Sequence, residues 1–247
     1  MSMLFSNDGS RGRVPAGAAA FFALGLIISA LFSADTLSAG AQSDLRAVKI
    51  TDDPAATDLD LFSGEKPAKG KFLVASRALS DPRFQESVVL LIAYGPEGAA
   101  GLIINRPTKV PLAEMLPSVP GMKQRADVIY YGGPVEGSRI LMLIRSDKKP
   151  EESNRVFADV YFSASKNTLE RMIVAHKPEK QFRNYAGSAG WFPGQLDGEL
   201  LRGDWIVVRA DAGSIFEKNP AGIWRELFRR GSAIQVRNCD NPYSETH

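Results

Sequence analysis

The sequence is poor in the residues that most enzyme and metal sites need. Among its 247 residues there is one cysteine, Cys239, and there are two histidines, His176 and His247. A single cysteine excludes an intramolecular disulfide and a thiolate metal cluster, and two histidines leave little for imidazole chemistry. An excess of one charge is also missing, because 30 Lys and Arg balance 28 Asp and Glu to a net charge of +2. No strong overall field therefore favours nucleic acid or anionic lipid as a partner.

What the sequence does contain is the composition of a folded domain. It is 44% hydrophobic and 23% charged, a balance typical of globular proteins. The 22 glycines and 15 prolines follow no period, which excludes collagen-like and low-complexity classes. Neither a P-loop nor a G-x-G-x-x-G motif is present.

The N-terminus has the pattern of a targeting segment. Arg11 and Arg13 precede residues 14–34, which carry no charge, and Ala39-Gly40-Ala41 follows as a signal-peptidase site with the A-x-A pattern. The uncharged run also reaches the roughly 20 residues that span a bilayer, so a retained anchor is an alternative to a cleaved signal peptide. A buried core helix is a third interpretation. Under the first two, the sequence predicts a protein of the cell envelope, either periplasmic or anchored in the inner membrane.

The rest of the chain divides by composition into three parts. Residues 42–70 form a predicted acidic linker, because six acidic residues face two basic ones between positions 44 and 65. Residues 71–237 form the predicted folded domain, and residues 238–247 form a polar tail.

Short apolar runs bounded by turn residues predict a set of strands in the folded domain. The run at 87–94 is apolar throughout, as in a strand buried on both faces, and the turn after it predicts a hairpin. The predicted strands are 72–75, 87–94, 100–105, 128–131, 139–145, 155–162 and 205–209.

Three helices are predicted later in the chain. One is capped by Asn167, a second runs from Pro193 to Gly203, and a third runs from Pro220 to a stop at Gly231. Early hairpins with helices interspersed among later strands indicate a single α+β domain instead of a regular βαβ repeat.

Three glycine-bearing turns, at residues 101–107, 131–135 and 187–196, are candidates for function. Each is either ordinary turn chemistry or part of a site. In the second interpretation the turns form an anion-binding pocket. It is lined by Arg106, by the backbone amides of Gly132–Gly133 and by the start of the helix after the third turn.

These turns, in this order, resemble the YqgE/AlgH family of bacterial proteins. The resemblance covers about residues 71–230. It rests on the segments 79–84, 87–89, 97–107, 131–135, 189–196 and 215–216, and on Pro220 and Trp224.

The resemblance implies an α+β fold with a mixed sheet and a barrel-like part, and it implies no established enzyme chemistry. The family carries a transcriptional-regulator label through genetic association. This chain departs from the family pattern at Tyr94, where many relatives have His, and at Ser188, where Tyr is common. It also departs in residues 1–65, since family members usually begin near the equivalent of Lys71.

We therefore expect a non-enzymatic regulatory or binding protein with no cofactor and no metal. Its partner would be an unknown protein or a small anionic ligand, and nucleic acid would be excluded by export. The candidate ligand-binding residues are Asn105, Arg106, Gly132, Gly133, Gly190, Trp191 and Gln195.

Two alternatives stay open. One is a cytoplasmic transcriptional regulator, as the family label implies, for which the basic excess at Arg225, Arg229, Arg230 and Arg237 is the only sequence support. The other is a hydrolase using Ser188 or Cys239, which would have to use His176 as its base. A membrane would be a partner only through an uncleaved N-terminal segment.

Overall fold

The computed structural model describes residues 65–240 except 116, 118, 120, 123–125 and 176–180, and for residues 234–240 it describes the backbone alone. The predicted N-terminal segment, residues 42–64 of the predicted linker, His176 and residues 241–247 lie outside the described residues. The strands are β1 Lys71–Ala75, β2 Val88–Gly95, β3 Gly98–Ile103, β4 Pro107–Pro111, β5 Val128–Tyr131, β6 Val135–Arg145, β7 Asn154–Phe157, β8 Val160–Ser163, β9 Phe182–Trp191 and β10 Trp205–Arg209. The helices are α1 Leu112–Met115, α2 Lys166–Val174, α3 Gln195–Leu201, α4 Ala212–Phe216 and α5 Pro220–Asp240.

The strands form one mixed sheet that curls into a half-barrel. Its order is β10-β1-β2-β3-β9-β6-β8-β7, with β5 paired to both β4 and β9. The β5–β9 pair is parallel and the other pairs are antiparallel. Strand β9 is the centre of this arrangement, because its second half pairs with β3 and its first half with β5 and β6. The prediction of an α+β fold with a mixed, barrel-like sheet is confirmed.

The hydrophobic core lies on both faces of the sheet. Inside the curl, Leu102 and Tyr185 pack with Ile223 and Leu227, which α5 contributes. The other face is covered by α3 against one part of the sheet and by α2 against the other. Residues 88–92 are buried throughout, so the prediction of a strand covered on both faces is confirmed.

Three strand predictions need correction. The run at 155–162 is two strands, β7 and β8, joined by a turn in which Ala158 has a φ of +38°. The turn residues are Ala158 and Asp159, and a single charged residue inside the otherwise apolar run 156–162 is not a strong enough turn signal to predict the reversal. The first five residues of the predicted turn at 187–196 lie inside β9, which was not among the predicted strands, and β4 was not predicted either.

The three predicted helices are present, and the start of α5 at Pro220 is confirmed, but other helix ends differ from the prediction. The cap of α2 is Ser165, whose side chain accepts from the Thr168 N–H, and α3 begins at Gln195, two residues after Pro193. Helix α5 continues through Gly231 to Asp240. A Cβ at position 231 would lie 2.6 Å from Cγ2 of Ile206, so this glycine serves close packing and does not end the helix. No helix within the described residues is long and apolar enough to cross a membrane.

Candidate functional site

A cleft of about 320 Å³ opens between the loop after β1, the end of β9 and helix α3. Its wall is an aromatic cluster of Phe84, Trp191 and Trp205. The Phe84 ring centroid lies 6.3 Å from that of Trp191 and 5.7 Å from that of Trp205, and the two indoles are 5.9 Å apart and nearly perpendicular. Phe84 stacks on Trp191, and the other two pairs are edge-to-face. Both arrangements are favourable for aromatic rings at these distances, so the cluster is a packed wall.

Glu199 on α3 holds the two indoles in place. Its Oε2 accepts hydrogen bonds from Nε1 of Trp191 and from Nε1 of Trp205, each at 2.8 Å. Its Oε1 accepts from Nε2 of Gln195 at 3.0 Å. Hydrogen bonds to a carboxylate are stronger than those between neutral groups. This one carboxylate therefore fixes the end of β9, the start of β10 and helix α3 relative to each other.

The rim of the cleft carries two ion pairs. Arg83 binds Asp81 through Nε and Nη2, with the shortest contact 2.7 Å, and Arg202 binds Asp204 in the same way at 2.7 Å. The side-chain hydrogen bonds from Arg83 hold the pKa of Asp81 below its usual value. Counting Glu199, the cleft is lined by three carboxylates and two guanidinium groups, so it has no excess of positive charge.

Three of the predicted site residues line this cleft: Gly190, Trp191 and Gln195. Trp191 is only 2% exposed, because the cluster covers most of its ring. Gln195 is exposed, and its Oε1 accepts from the Phe192 N–H at 3.1 Å, which closes the turn from β9 into α3. Phe192 itself is 39% exposed at the edge of the cleft.

Asn105 and Arg106 do not line the cleft but support the loop that does. Asn105 accepts from the Val88 N–H and donates from Nδ2 to the carbonyl of Glu86, both at 2.9 Å. Arg106 donates from Nη1 to the Arg83 carbonyl and from Nη2 to the Gln85 carbonyl, the second at 2.7 Å. Burial lowers the pKa of the Arg106 guanidinium. Arg106 therefore uses its terminal donors on backbone carbonyls of the loop that carries Phe84.

Gly132 and Gly133 allow their backbone to pass close to the β9 backbone at Gly187 and Ser188. The Gly132 N–H donates to the Ala186 carbonyl at 2.9 Å, so this amide is already used within the sheet. A Cβ on Gly132 would lie 2.2 Å from the Gly187 carbonyl oxygen, and one on Gly133 would lie 2.3 Å from the Ser188 carbonyl carbon. The structure does not bring these glycines and Arg106 together as an anion pocket with the start of α3.

Three residues that shape the cleft were not among the predicted site residues: Phe84, Glu199 and Trp205. Phe84 belongs to a segment that carries the family resemblance, and Glu199 lies four residues after Gln195, on the same helix face. Trp205 begins a strand far along the chain, and no sequence signal connects it to Trp191.

The remaining candidates do not form a catalytic arrangement in the described part of the chain. Ser188 is 1% exposed within β9, where a substrate could not reach its hydroxyl. Arg225 and Arg229 are exposed on α5, while Arg230 donates from Nη2 to the Arg209 carbonyl at 2.9 Å. The described residues include no group of three or more Cys, His, Asp or Glu positioned to hold a metal ion.

The half-barrel and its aromatic cleft define a class of single-domain α+β proteins. The chain belongs to the AlgH-like family, DUF179, whose family model matches residues 72–233.

Several relatives share this domain. A UPF0301 protein from Streptomyces avermitilis is 34% identical over 167 residues, covering 65% of this chain and 85% of that protein. Another from Methylococcus capsulatus is 33% identical over 173 residues, covering 69% of this chain and 94% of its own. The solution structure of the AlgH protein from Pseudomonas aeruginosa has a TM-score of 0.58 and 28% identity, covering 72% of this chain and 95% of that one. A crystal structure from Corynebacterium diphtheriae has the same TM-score at 23% identity, covering 71% and 93%, and shows the fold alone.

Proposed function

We propose that this AlgH-like protein is a non-enzymatic binding protein whose cleft receives one large apolar side chain of a partner protein. The observation that carries this proposal is the aromatic wall of Phe84, Trp191 and Trp205, held in place by Glu199. A rigid wall binds with little loss of side-chain entropy, and aromatic residues are enriched at the energetic centres of protein interfaces.

The size and charge of the cleft favour this occupant. About 320 Å³ is at the lower limit of small-molecule pockets, which suits a single side chain or ring. Both signs of charge occur at the rim, in the Asp81–Arg83 and Arg202–Asp204 pairs. Such a rim can bond the polar backbone on either side of an inserted side chain, whereas an anion would meet three carboxylates.

The proposal places the domain outside the cytoplasm. Its support is the pattern of Arg11, Arg13 and the uncharged residues 14–34, followed by the small residues 39–41. A protein in the cell envelope does not meet promoter DNA, so we propose a protein partner there instead of the regulator role in the family label.

Tryptophan fluorescence offers a direct test, because two of the three tryptophans line the cleft. The full domain is titrated with N-acetyl-phenylalaninamide, an uncharged mimic of an inserted side chain, and with phenyl phosphate, a small anion with the same ring. We expect saturable quenching by the amide and weaker binding of phenyl phosphate.

Phe84→Ala should weaken binding of the amide about tenfold, because it removes one of the three rings of the wall. Phe228→Ala is the matched control. The half-buried Phe228 ring does not line the cleft, and its centroid lies 5.4 Å from that of Trp224. Equal binding by both variants, or no saturable quenching of the unsubstituted protein, would contradict the proposal. Tighter binding of phenyl phosphate would favour the small anionic ligand instead.

A further inference from the structure

Four buried polar atoms on strand β9 have no hydrogen-bond partner among the described residues. They are Nη1 of Arg183, Oδ1 of Asn184, the Tyr185 hydroxyl and Oγ of Ser188. Buried polar atoms in native proteins nearly always have a partner, so a cluster of exceptions on one strand indicates polar groups that are available to a ligand.

Two of these residues, Arg183 and Asn184, line a cavity of about 200 Å³. The cavity lies beside the first residues of β5 and β9, whose parallel pairing begins only at Tyr130 and Tyr185. Before that point the two strands do not pair. The cavity shares no lining residue with the aromatic cleft.

Arg183 is the charged group of this cavity. Its Cζ lies 4.7 Å from the centroid of the Tyr130 ring, a cation–π contact that supplies no hydrogen-bond acceptor. None of the ion pairs among the described residues includes Arg183, although its Nη1 is buried. A buried guanidinium nitrogen without an acceptor is costly, and a carboxylate is the acceptor that matches its geometry.

Arg155 provides an internal comparison. Its Cζ also lies over a tyrosine ring, 5.4 Å from the centroid of Tyr161. There the guanidinium Nη2 donates to the hydroxyl of the same tyrosine at 2.8 Å, so its hydrogen-bonding capacity is used within the protein. Nη1 of Arg183 has no such acceptor within the residues that the structure describes, and Arg183 lines the cavity.

We propose that this cavity binds a small monocarboxylate that also carries a hydrogen-bond donor. The carboxylate would pair with Arg183, and the donor would bond to Oδ1 of Asn184, which is 2% exposed. The walls from Tyr130 and Phe216 suit the carbon atoms between these two groups. Asp127 also lines the cavity, and its carboxylate repels any anion there, a dianion more strongly than a monoanion, so a dianion is the less favoured ligand. This site goes beyond the proposed partner-binding cleft and does not depend on it.

Calorimetric titration of the full-length protein with three probes tests the proposal. Lactate carries both a carboxylate and a donor, acetate lacks the donor, and sulfate is a dianion. We expect saturable binding of lactate, weaker binding of acetate and weaker binding still of sulfate. Arg183→Met should weaken lactate binding by at least about tenfold, while Arg155→Met should leave it unchanged.

If Arg183→Met does not fold, Asn184→Leu gives an independent measurement, since it should abolish the preference for lactate over acetate. Absence of lactate binding, lactate affinity unchanged in the Arg183 variant, or sulfate binding as tightly as lactate would each overturn the proposal. A crystal structure grown with lactate that shows only water in the cavity would overturn it as well.

Discussion

Glu199 connects three elements of the cleft through one carboxylate, so it is the residue at which the wall is most easily weakened. We expect Glu199→Gln to lower the free energy of unfolding by about 1–3 kcal/mol. Both indoles donate to one carboxylate oxygen, so an amide oxygen in that place turns the amide nitrogen toward Nε2 of Gln195, where two donors face each other, and the neutral oxygen accepts from the indoles less strongly than a carboxylate does. Urea unfolding followed by tryptophan emission measures both the stability and the environment of the indoles. Glu170→Gln, on the surface of α2, should change stability by less than about 0.5 kcal/mol. Equal effects of the two substitutions would contradict the role of Glu199.

Gly133 is a residue whose role follows from its backbone alone. Its φ is +147°, and an added Cβ would meet the Ser188 backbone at 2.3 Å. Gly133→Ala should therefore cost at least about 3 kcal/mol of stability or prevent folding. Gly137→Ala is the control, because nothing lies within 4 Å of its added Cβ. Thermal unfolding of both variants should separate them clearly, and comparable midpoints would contradict this account. Loss of ligand binding on substitution of Gly133 would thus report unfolding and not a ligand contact.

At the scale of elements, helix α5 packs on the sheet through a glycine. A Cβ at Gly231 would lie 2.6 Å from Ile206 Cγ2 and 3.0 Å from Val208 Cγ1, so Gly231→Ala should push the helix away at a cost of about 1–3 kcal/mol. Gly222→Ala, on the exposed face of the same helix, should stabilise by about 0.5–1 kcal/mol through helix propensity. Thermal unfolding followed by circular dichroism measures the two changes in stability, which should have opposite signs. A stabilising Gly231→Ala would show that the glycine only interrupts the helix.

Tyr94 joins strand β2 to helix α3 by donating its hydroxyl to Oδ1 of Asp197 at 2.6 Å. Tyr94→Phe should cost about 0.5–1.5 kcal/mol near neutral pH. Burial, together with the Asp197 carboxylate, raises the pKa of Tyr94 from 10.0 to about 12. The folded state then holds the hydroxyl proton of Tyr94 more tightly than the unfolded state does. The stabilisation from the Tyr94–Asp197 hydrogen bond is therefore complete below pH 10 and falls as the pH rises toward 12. Denaturant unfolding between pH 10 and pH 12 should show the free energies of unfolding of the unsubstituted protein and of Tyr94→Phe converging. A constant difference would contradict the link.

For the whole molecule, the decisive prediction concerns location. Fractionation of cells with intact-mass analysis should find the domain in the envelope, either beginning at Gln42 after cleavage or retaining residues 1–41 as an anchor. A chain whose Arg11 and Arg13 are both changed to Glu should lose this localisation in part, because the basic flank orients the segment. A soluble cytoplasmic species that begins well after Ala41 would overturn the prediction and favour the regulator alternative.

Local sequence determined much of the fold at the level of single elements. Continuous apolar residues at 88–92 were enough to predict a doubly covered strand, and Pro220 was enough to predict the start of α5. Turn chemistry at 95–98 predicted a hairpin that the structure contains. In each case the signal lies within a few residues of the feature, since propensity and turn geometry act over short distances.

The family motifs determined the class of fold and marked the segments from which the cleft is built, but not the role of each residue. Arg106 and the Gly132–Gly133 pair were predicted as ligand contacts, and the tertiary structure decided that they support a loop and a backbone crossing. The bond of Glu199 to both Trp191 and Trp205, and the unpartnered Arg183 beside its cavity, are also tertiary features. Glu199 is only eight residues from Trp191 and six from Trp205 in the chain, but the bonds depend on how the chain turns from β9 into α3 and from α3 into β10. Arg183 meets the ring of Tyr130, more than fifty residues earlier, only because β5 and β9 lie side by side in the sheet. One sequence records the residue types at these places without recording which of them touch.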